Sequence, residues 1–82
     1  MSYYVYVLRS LKDGKYYIGS SVDVMARIRF HNAGLQRSTR SRTPFELVYQ
    51  EACASKSIVL AREKQIKSYK RGMAFKRLIN GE

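Results

Sequence analysis

Three residues, Arg27, His31 and Glu63, have types and spacings that point to chemistry. Arg27 and His31 are four positions apart, so on a helix they share one face. An arginine so placed binds a phosphate oxygen bidentately and stabilises transition-state charge, or more simply makes a generic phosphate contact. The histidine shuttles a proton, orients a neighbouring hydroxyl, or only packs. Between residues 52 and 81, Glu63 is a single acid among eight bases: Lys56, Arg62, Lys64, Lys67, Lys70, Arg71, Lys76 and Arg77. An acid in such a segment is either a surface ion-pair partner of Arg62 or Lys67, worth about 0–1 kcal/mol, or a ligand for a hard divalent cation. Mg²⁺ binds through one or two carboxylates and keeps several waters. Phosphodiester hydrolysis needs these parts: an activated water, and charge relief at the phosphate and the leaving oxygen. A free tyrosine, with a pKa of about 10, is a poor base at neutral pH. A nearby cation or arginine brings such a proton within reach by stabilising phenolate.

These residues are distributed over a short set of elements. Residues 3–9 are β-branched and aromatic, which favours a strand, with Tyr4, Tyr6 and Leu8 on one face and Tyr3, Val5 and Val7 on the other. Asp13-Gly14 is a hairpin signal that leads into a second, antiparallel strand at 15–20. Asp23 is the expected N-cap of a helix from Val24 to Ala33 that Gly34 stops. Val24 and Ile28 turn that helix toward the sheet and lean Arg27 over the tyrosines. Residues 35–44 read as a basic, Ser/Thr-rich loop, and residues 45–53 as a third strand. Ser55 caps a second helix running to about Tyr69, which Arg71-Gly72 breaks, and a third helix covers Met73–Ile79. Glu63 then stands beside Val59 and Ile66, at the margin of the buried stripe. The expected class is α+β, a small antiparallel three-stranded sheet flanked by helices in the order β-β-α-β-α-α, with a core large enough to bury one sheet face.

Charge narrows the partners. The 82 residues hold 16 Lys and Arg against six Asp and Glu, a net charge of +10. Self-repulsion on so small a chain points to a polyanion, with nucleic acid ahead of a membrane surface because the bases occur throughout the chain. Residues 24–45 carry Arg27, Arg29, Arg37, Arg40 and Arg42 and no acid; the stretch from Arg37 to Arg42 reads as a phosphate-gripping loop. With no apolar run of 18 residues, a transmembrane helix is not expected. The length fits one domain, 1–82. The lone Cys53 excludes an internal disulfide and, with one His, a structural zinc site, so a reducing cytoplasm is the expected location.

Tyr4-Val5-Tyr6 on the first strand and Tyr17-Ile18-Gly19 on the second resemble the two tripeptides that name the GIY-YIG endonuclease superfamily. The resemblance continues through Asp23–Arg27 with His31-Asn32, through Phe45–Tyr49 as the third strand, and through Ala61–Lys67 as the metal-binding helix. It covers nearly the whole chain and is closest to short members made of the nuclease module alone. Two departures stand out: Tyr4 and Val5 replace the first Gly and Ile, and Ser20-Ser21 stands where other members often carry Lys or Thr. The resemblance implies that Glu63 holds Mg²⁺ or Mn²⁺ and that one tyrosine, with Tyr6 favoured, works in proton transfer with the other close by. It further implies that Asn80 matches a late Asn assisting phosphate or metal binding in some members. Arg29, Arg37, Arg40, Arg42 and Lys67 are the remaining expected nucleic-acid contacts. The other tyrosines, Tyr3, Tyr4, Tyr16, Tyr49 and Tyr69, are read as packing or stacking residues. The expected function is metal-dependent hydrolysis of DNA, branched or flapped, with a protein partner as a source of specificity. The alternatives are a nucleic-acid-binding module without turnover and a basic interaction protein; the latter explains the charge but not the Tyr6, Tyr17, Arg27, Glu63 set.

Overall fold

The computed structural model describes residues 2–81. Its elements are β1 (Tyr3–Ser10), β2 (Tyr16–Ser21), α1 (Val24–Asn32), a 3₁₀ turn (Arg40–Arg42), β3 (Phe45–Cys53), α2 (Lys56–Ser68) and α3 (Met73–Asn80). The three strands form one antiparallel sheet in the order β2-β1-β3, the expected α+β architecture.

β1 lies at the centre because Val5–Leu8 suits burial on both sides, and each of those four side chains is buried. The β1–β2 hairpin turns through Asp13-Gly14, where Gly14 adopts the left-handed conformation that a Cβ disfavours. Its register sets Tyr6 opposite Gly19 and Leu8 opposite Tyr17. On the other side, Val7 faces Tyr49 while Leu8 faces Leu47, so β3 bulges at Val48.

Both helix starts follow their capping residues. Asp23 accepts the Ala26 N–H at 3.1 Å, and Ser55 accepts the Ile58 N–H at 3.2 Å. α2 ends where Lys70 and Arg71, both at positive φ, turn the chain; Gly72 contributes the N-cap of α3 at an ordinary negative φ.

The sheet buries both faces, not one. α1 covers Tyr6, Leu8 and Phe45 through Val24, with Ile28 beside them. α2 and α3 cover Val5, Val7 and Cys53 through Val59, Ile66 and Phe75. Each helix needs only a narrow apolar stripe because the strands are short, which is how so small a chain sustains two clusters. The edge strand β2 therefore has α1 against one face and α2 against the other, so side chains from both helices converge across it.

Candidate active site

The alternation of β1 sends Tyr6 to the α1 face, and its cross-strand partner is Gly19. A Cβ at residue 19 would lie 2.6 Å from the Tyr6 hydroxyl oxygen and 2.8 Å from Cζ. Gly19 thus exists in β2 so that the Tyr6 ring can lie across it. Tyr17, two positions earlier, projects to the same face, its ring centroid 6.4 Å from that of Tyr6 and 4.7 Å from the His31 ring.

α1 presents Val24, Ile28 and His31 inward on one stripe, and Arg27 lies on the same side. His31 is fully buried. Its Nε2 is 3.2 Å from the Tyr6 hydroxyl and its Nδ1 is 2.9 Å from the Thr39 hydroxyl. Burial lowers the His31 pKa, and the Arg27 cation lowers it further, so the ring is neutral at physiological pH. Tyr6, only 1% exposed, has its pKa raised, chiefly by burial. The neighbouring Arg27 guanidinium opposes that shift, while the Glu63 carboxylate adds to it. Arg27 is itself braced by stacking over the Phe30 ring at 4.4 Å.

Glu63 stands on α2, against the opposite face of the sheet, and its carboxylate acts on the Tyr6 hydroxyl only electrically. Its side chain is 18% exposed and pairs with Lys67, 54% exposed, at 2.7 Å. Of the two ion-pair partners open to Glu63, Lys67 is the one it uses. Arg62 is committed elsewhere, donating to Glu51 of β3 at 2.8 Å and to Gln65 at 2.8 Å. Glu51 also accepts the Tyr49 hydroxyl, so Tyr49 and Arg62 brace α2 against β3.

The structure therefore groups Tyr6, Tyr17, Arg27 and His31 on the α1 side of the sheet, with Glu63 on α2, which packs on the other face. The outlying basic residues lie differently. Arg29, Arg37 and Arg40 are exposed. Arg42 is folded inward: it pairs with Asp13 at 3.2 Å, reaches the Tyr16 carbonyl at 3.4 Å, and sits over the Phe45 ring. Asn80 is exposed at the end of α3, and no hydrogen bond joins its side chain to the cluster among the described residues.

Two supporting roles escaped sequence reasoning. Thr39, inside the basic loop, is fully buried against His31. Asn32 clamps the start of β3, accepting the Phe45 N–H at 2.7 Å and donating to the Phe45 carbonyl at 3.2 Å. Neither residue type nor local spacing distinguishes Thr39 from the Ser and Thr around it; its one signal is a hydroxyl eight residues beyond a histidine, in the loop that returns under it.

A divalent cation has a partial fit here. Among the described residues no group of three or more His, Cys, Asp or Glu could hold a metal ion. The donor set is one partly buried carboxylate, whose present partner is a flexible lysine that can swing away. That suits an ion such as Mg²⁺ or Mn²⁺ that keeps most of its waters, and does not suit an all-protein cage.

Comparison with known proteins agrees with this geometry. Residues 2–76 match the family described as the GIY-YIG catalytic domain. The chain is 43% identical over 75 residues to a UPF0213 protein of Staphylococcus haemolyticus, covering 90% of each. It is 44% identical over 70 residues to a UPF0213 protein of Haloquadratum walsbyi, covering 84% of this chain and 78% of the relative. The solution NMR structure of a UPF0213 protein from Bacillus halodurans superposes with a TM-score of 0.62 at 36% identity, covering all of this chain and 86% of that one. No helix among the described residues is long and apolar enough to cross a membrane.

Proposed function

This chain belongs to the GIY-YIG family, whose domains are generally endonucleases, and on that premise we propose that it hydrolyses DNA phosphodiester bonds with a divalent cation. The observation that carries the reading is the buried Tyr6–His31 hydrogen bond, with Arg27 and Glu63 both acting electrically on the same hydroxyl. A buried tyrosine bonded to a neutral histidine and lying in the field of an arginine is more than packing requires, and the full set survives although the first tripeptide is substituted.

Arg27 binds a non-bridging phosphate oxygen and stabilises the charge that builds there in the transition state. Tyr6 exchanges a proton with the attacking water, and His31 stands at the hydroxyl to receive the proton Tyr6 gives up. Tyr17, half-buried, lines the same side and orients what enters. Glu63 would hold the cation, which when bound supplies Lewis-acid charge relief and acidifies water. Lys67, released from Glu63, is then free to meet a phosphate. Exposed Arg29, Arg37 and Arg40 extend the basic surface along the substrate. Selectivity for branched or flapped DNA rests on shape or on a partner protein.

The test is cleavage of a panel of labelled branched, flapped, duplex and single-stranded DNAs with Mg²⁺ or Mn²⁺. Tyr17→Phe and Arg27→Ala should each reduce cleavage by about 10² or more, the scale of one lost transition-state contact. Wild-type rates in both variants would remove these residues from the mechanism. The Glu63–Lys67 ion pair favours a second reading, a binding module that uses the same surface without turnover; absence of cleavage across the panel would select it.

A further inference from the structure

The reading above uses His31 as a proton acceptor without saying what makes one of its nitrogens available. We propose that Thr39 is a positioning residue: its hydroxyl fixes His31 as the Nδ1–H tautomer, leaving the Nε2 lone pair to take the proton of Tyr6. The catalytic consequence rests on the endonuclease reading; the tautomer assignment does not.

The hydrogen-bond inventory decides the tautomer. The Tyr6 hydroxyl has one hydrogen-bond partner among the described residues, His31 Nε2, whereas the Thr39 hydroxyl can turn to the Gln36 carbonyl as well as to Nδ1. If Nε2 carried the imidazole proton, the Tyr6 oxygen would accept it and the buried phenolic proton would have no acceptor among the hydrogen bonds of this site. With the proton on Nδ1, every group has a partner. Tyr6 donates to Nε2 at 3.2 Å, Nδ1–H donates to Thr39 Oγ1 at 2.9 Å, and the Thr39 hydroxyl donates to the Gln36 carbonyl at 3.4 Å.

Thr39 is built to hold that position. It is fully buried, and its backbone N–H and that of Arg40 both bond the Gln36 carbonyl, at 3.1 and 3.0 Å. That turn aims the hydroxyl at Nδ1. The ring it holds is wedged against Tyr17, Phe30 and Phe45, so it has little freedom to flip.

The assignment gives the proton a complete route. As the water oxygen bonds to phosphorus, its proton passes to the Tyr6 oxygen and the Tyr6 proton passes to Nε2. The bond from phosphorus to the leaving oxygen breaks, and that oxygen takes a proton from solvent. His31 ends as imidazolium and later returns its extra proton through Tyr6 to solvent, so protons balance over the cycle. The opposite tautomer has no lone pair facing Tyr6 and blocks the relay at its second step.

His31 is the chain's one histidine, so its ring nitrogens are read without overlap in a ¹⁵N-labelled sample. Two-bond ¹H–¹⁵N correlation above the imidazole pKa should show protonated Nδ1 and bare Nε2 in the wild type. Thr39→Val, similar in volume but without the hydroxyl, should shift the ring toward a mixture with Nε2–H, and Thr39→Ser should restore the wild-type pattern. Cleavage should follow, falling about 10-fold or more in kcat with KM little changed for Thr39→Val, and recovering in Thr39→Ser. A wild-type ring protonated at Nε2, or a Thr39→Val ring unchanged from wild type, overturns the proposal. If Thr39→Val does not fold, the wild-type and Thr39→Ser spectra still decide it. A protein that cuts nothing refutes the endonuclease reading, and the tautomer is still settled by the spectra.

Discussion

Replacing Gly19 by Ala tests the geometry that lets Tyr6 reach its partners. The added Cβ would sit 2.6 Å from the Tyr6 hydroxyl oxygen, 2.8 Å from Cζ and 3.1 Å from Tyr17 Cε1, where ordinary contact begins at 3.4 Å. The overlap with the hydroxyl is the difference, about 0.8 Å. A tyrosine end on the surface would swing aside, but this one is 1% exposed, bonded to His31, and held between β2 and α1. Relief therefore requires moving the ring or β2 itself. Overpacking of this kind costs about 1–3 kcal/mol, which in a domain of this size lowers Tm by roughly 4–24 °C. A shift of the hydroxyl by even about 1 Å costs on the order of 10²-fold in rate. Thermal melting and single-turnover cleavage on the same sample read both effects. A Gly19→Ala protein that melts within a degree of wild type and cuts at the wild-type rate would refute the claim that Tyr6 is held against Gly19 for catalysis.

Three further outcomes follow from the same structure. Arg40→Ala, at an exposed residue, should weaken DNA binding, reduce the slope of log affinity against log salt by about 1 and leave Tm unchanged; Arg42→Ala should instead lower Tm, since Arg42 ties Asp13 and the Tyr16 carbonyl to the loop. Thermal melting of Asn32→Ala should show a loss of about 1–3 kcal/mol, because the Phe45 N–H and carbonyl lose their partner together. Stability should fall on acidification: the unfolded chain protonates its histidine near pH 6.5, whereas folded His31, its pKa lowered by burial and by Arg27, does so only at lower pH. Melting should therefore decline from about pH 6.5 downward, and His31→Gln should remove that part of the decline.

What the sequence made legible was local. The β-branched and aromatic run of residues 3–9, the Asp13-Gly14 turn and the Asp23 and Ser55 caps each act within a few residues, and the elements they predict agree with the structure to within a residue or two. The Arg27–His31 pair was legible for the same reason, since helical spacing alone puts both on one side. Contacts across the chain were not. Arg42 reads as a free phosphate-binding residue until Asp13, 29 positions away, is seen to hold it. Lys67 pairs with Glu63 because the only competing base named for that acid, Arg62, is drawn to Glu51 on β3. Thr39 is one of several hydroxyls in a polar loop, and only the return of that loop beneath α1 buries it against His31. The second buried sheet face was missed because each helix stripe looks too thin alone; β1, shared by both clusters, makes them one structure.

The central claim is that Glu63 and the tyrosine cluster act together on a phosphodiester with a divalent cation. Its most direct test is single-turnover cleavage of the DNA panel by wild type and Glu63→Gln, with Mg²⁺ or Mn²⁺ and with chelator, alongside DNA binding without metal. Glu63→Gln keeps the side chain's size but removes the charge a hard cation needs, and it takes one negative charge from a surface that meets a polyanion. The account predicts wild-type cleavage that chelator stops, no metal-dependent cleavage by Glu63→Gln, and metal-free binding by the variant equal to or tighter than wild type. Cleavage that survives in Glu63→Gln, with only a small drop in Tm, would mean that Glu63 serves merely as the ion-pair partner of Lys67 and would contradict the account.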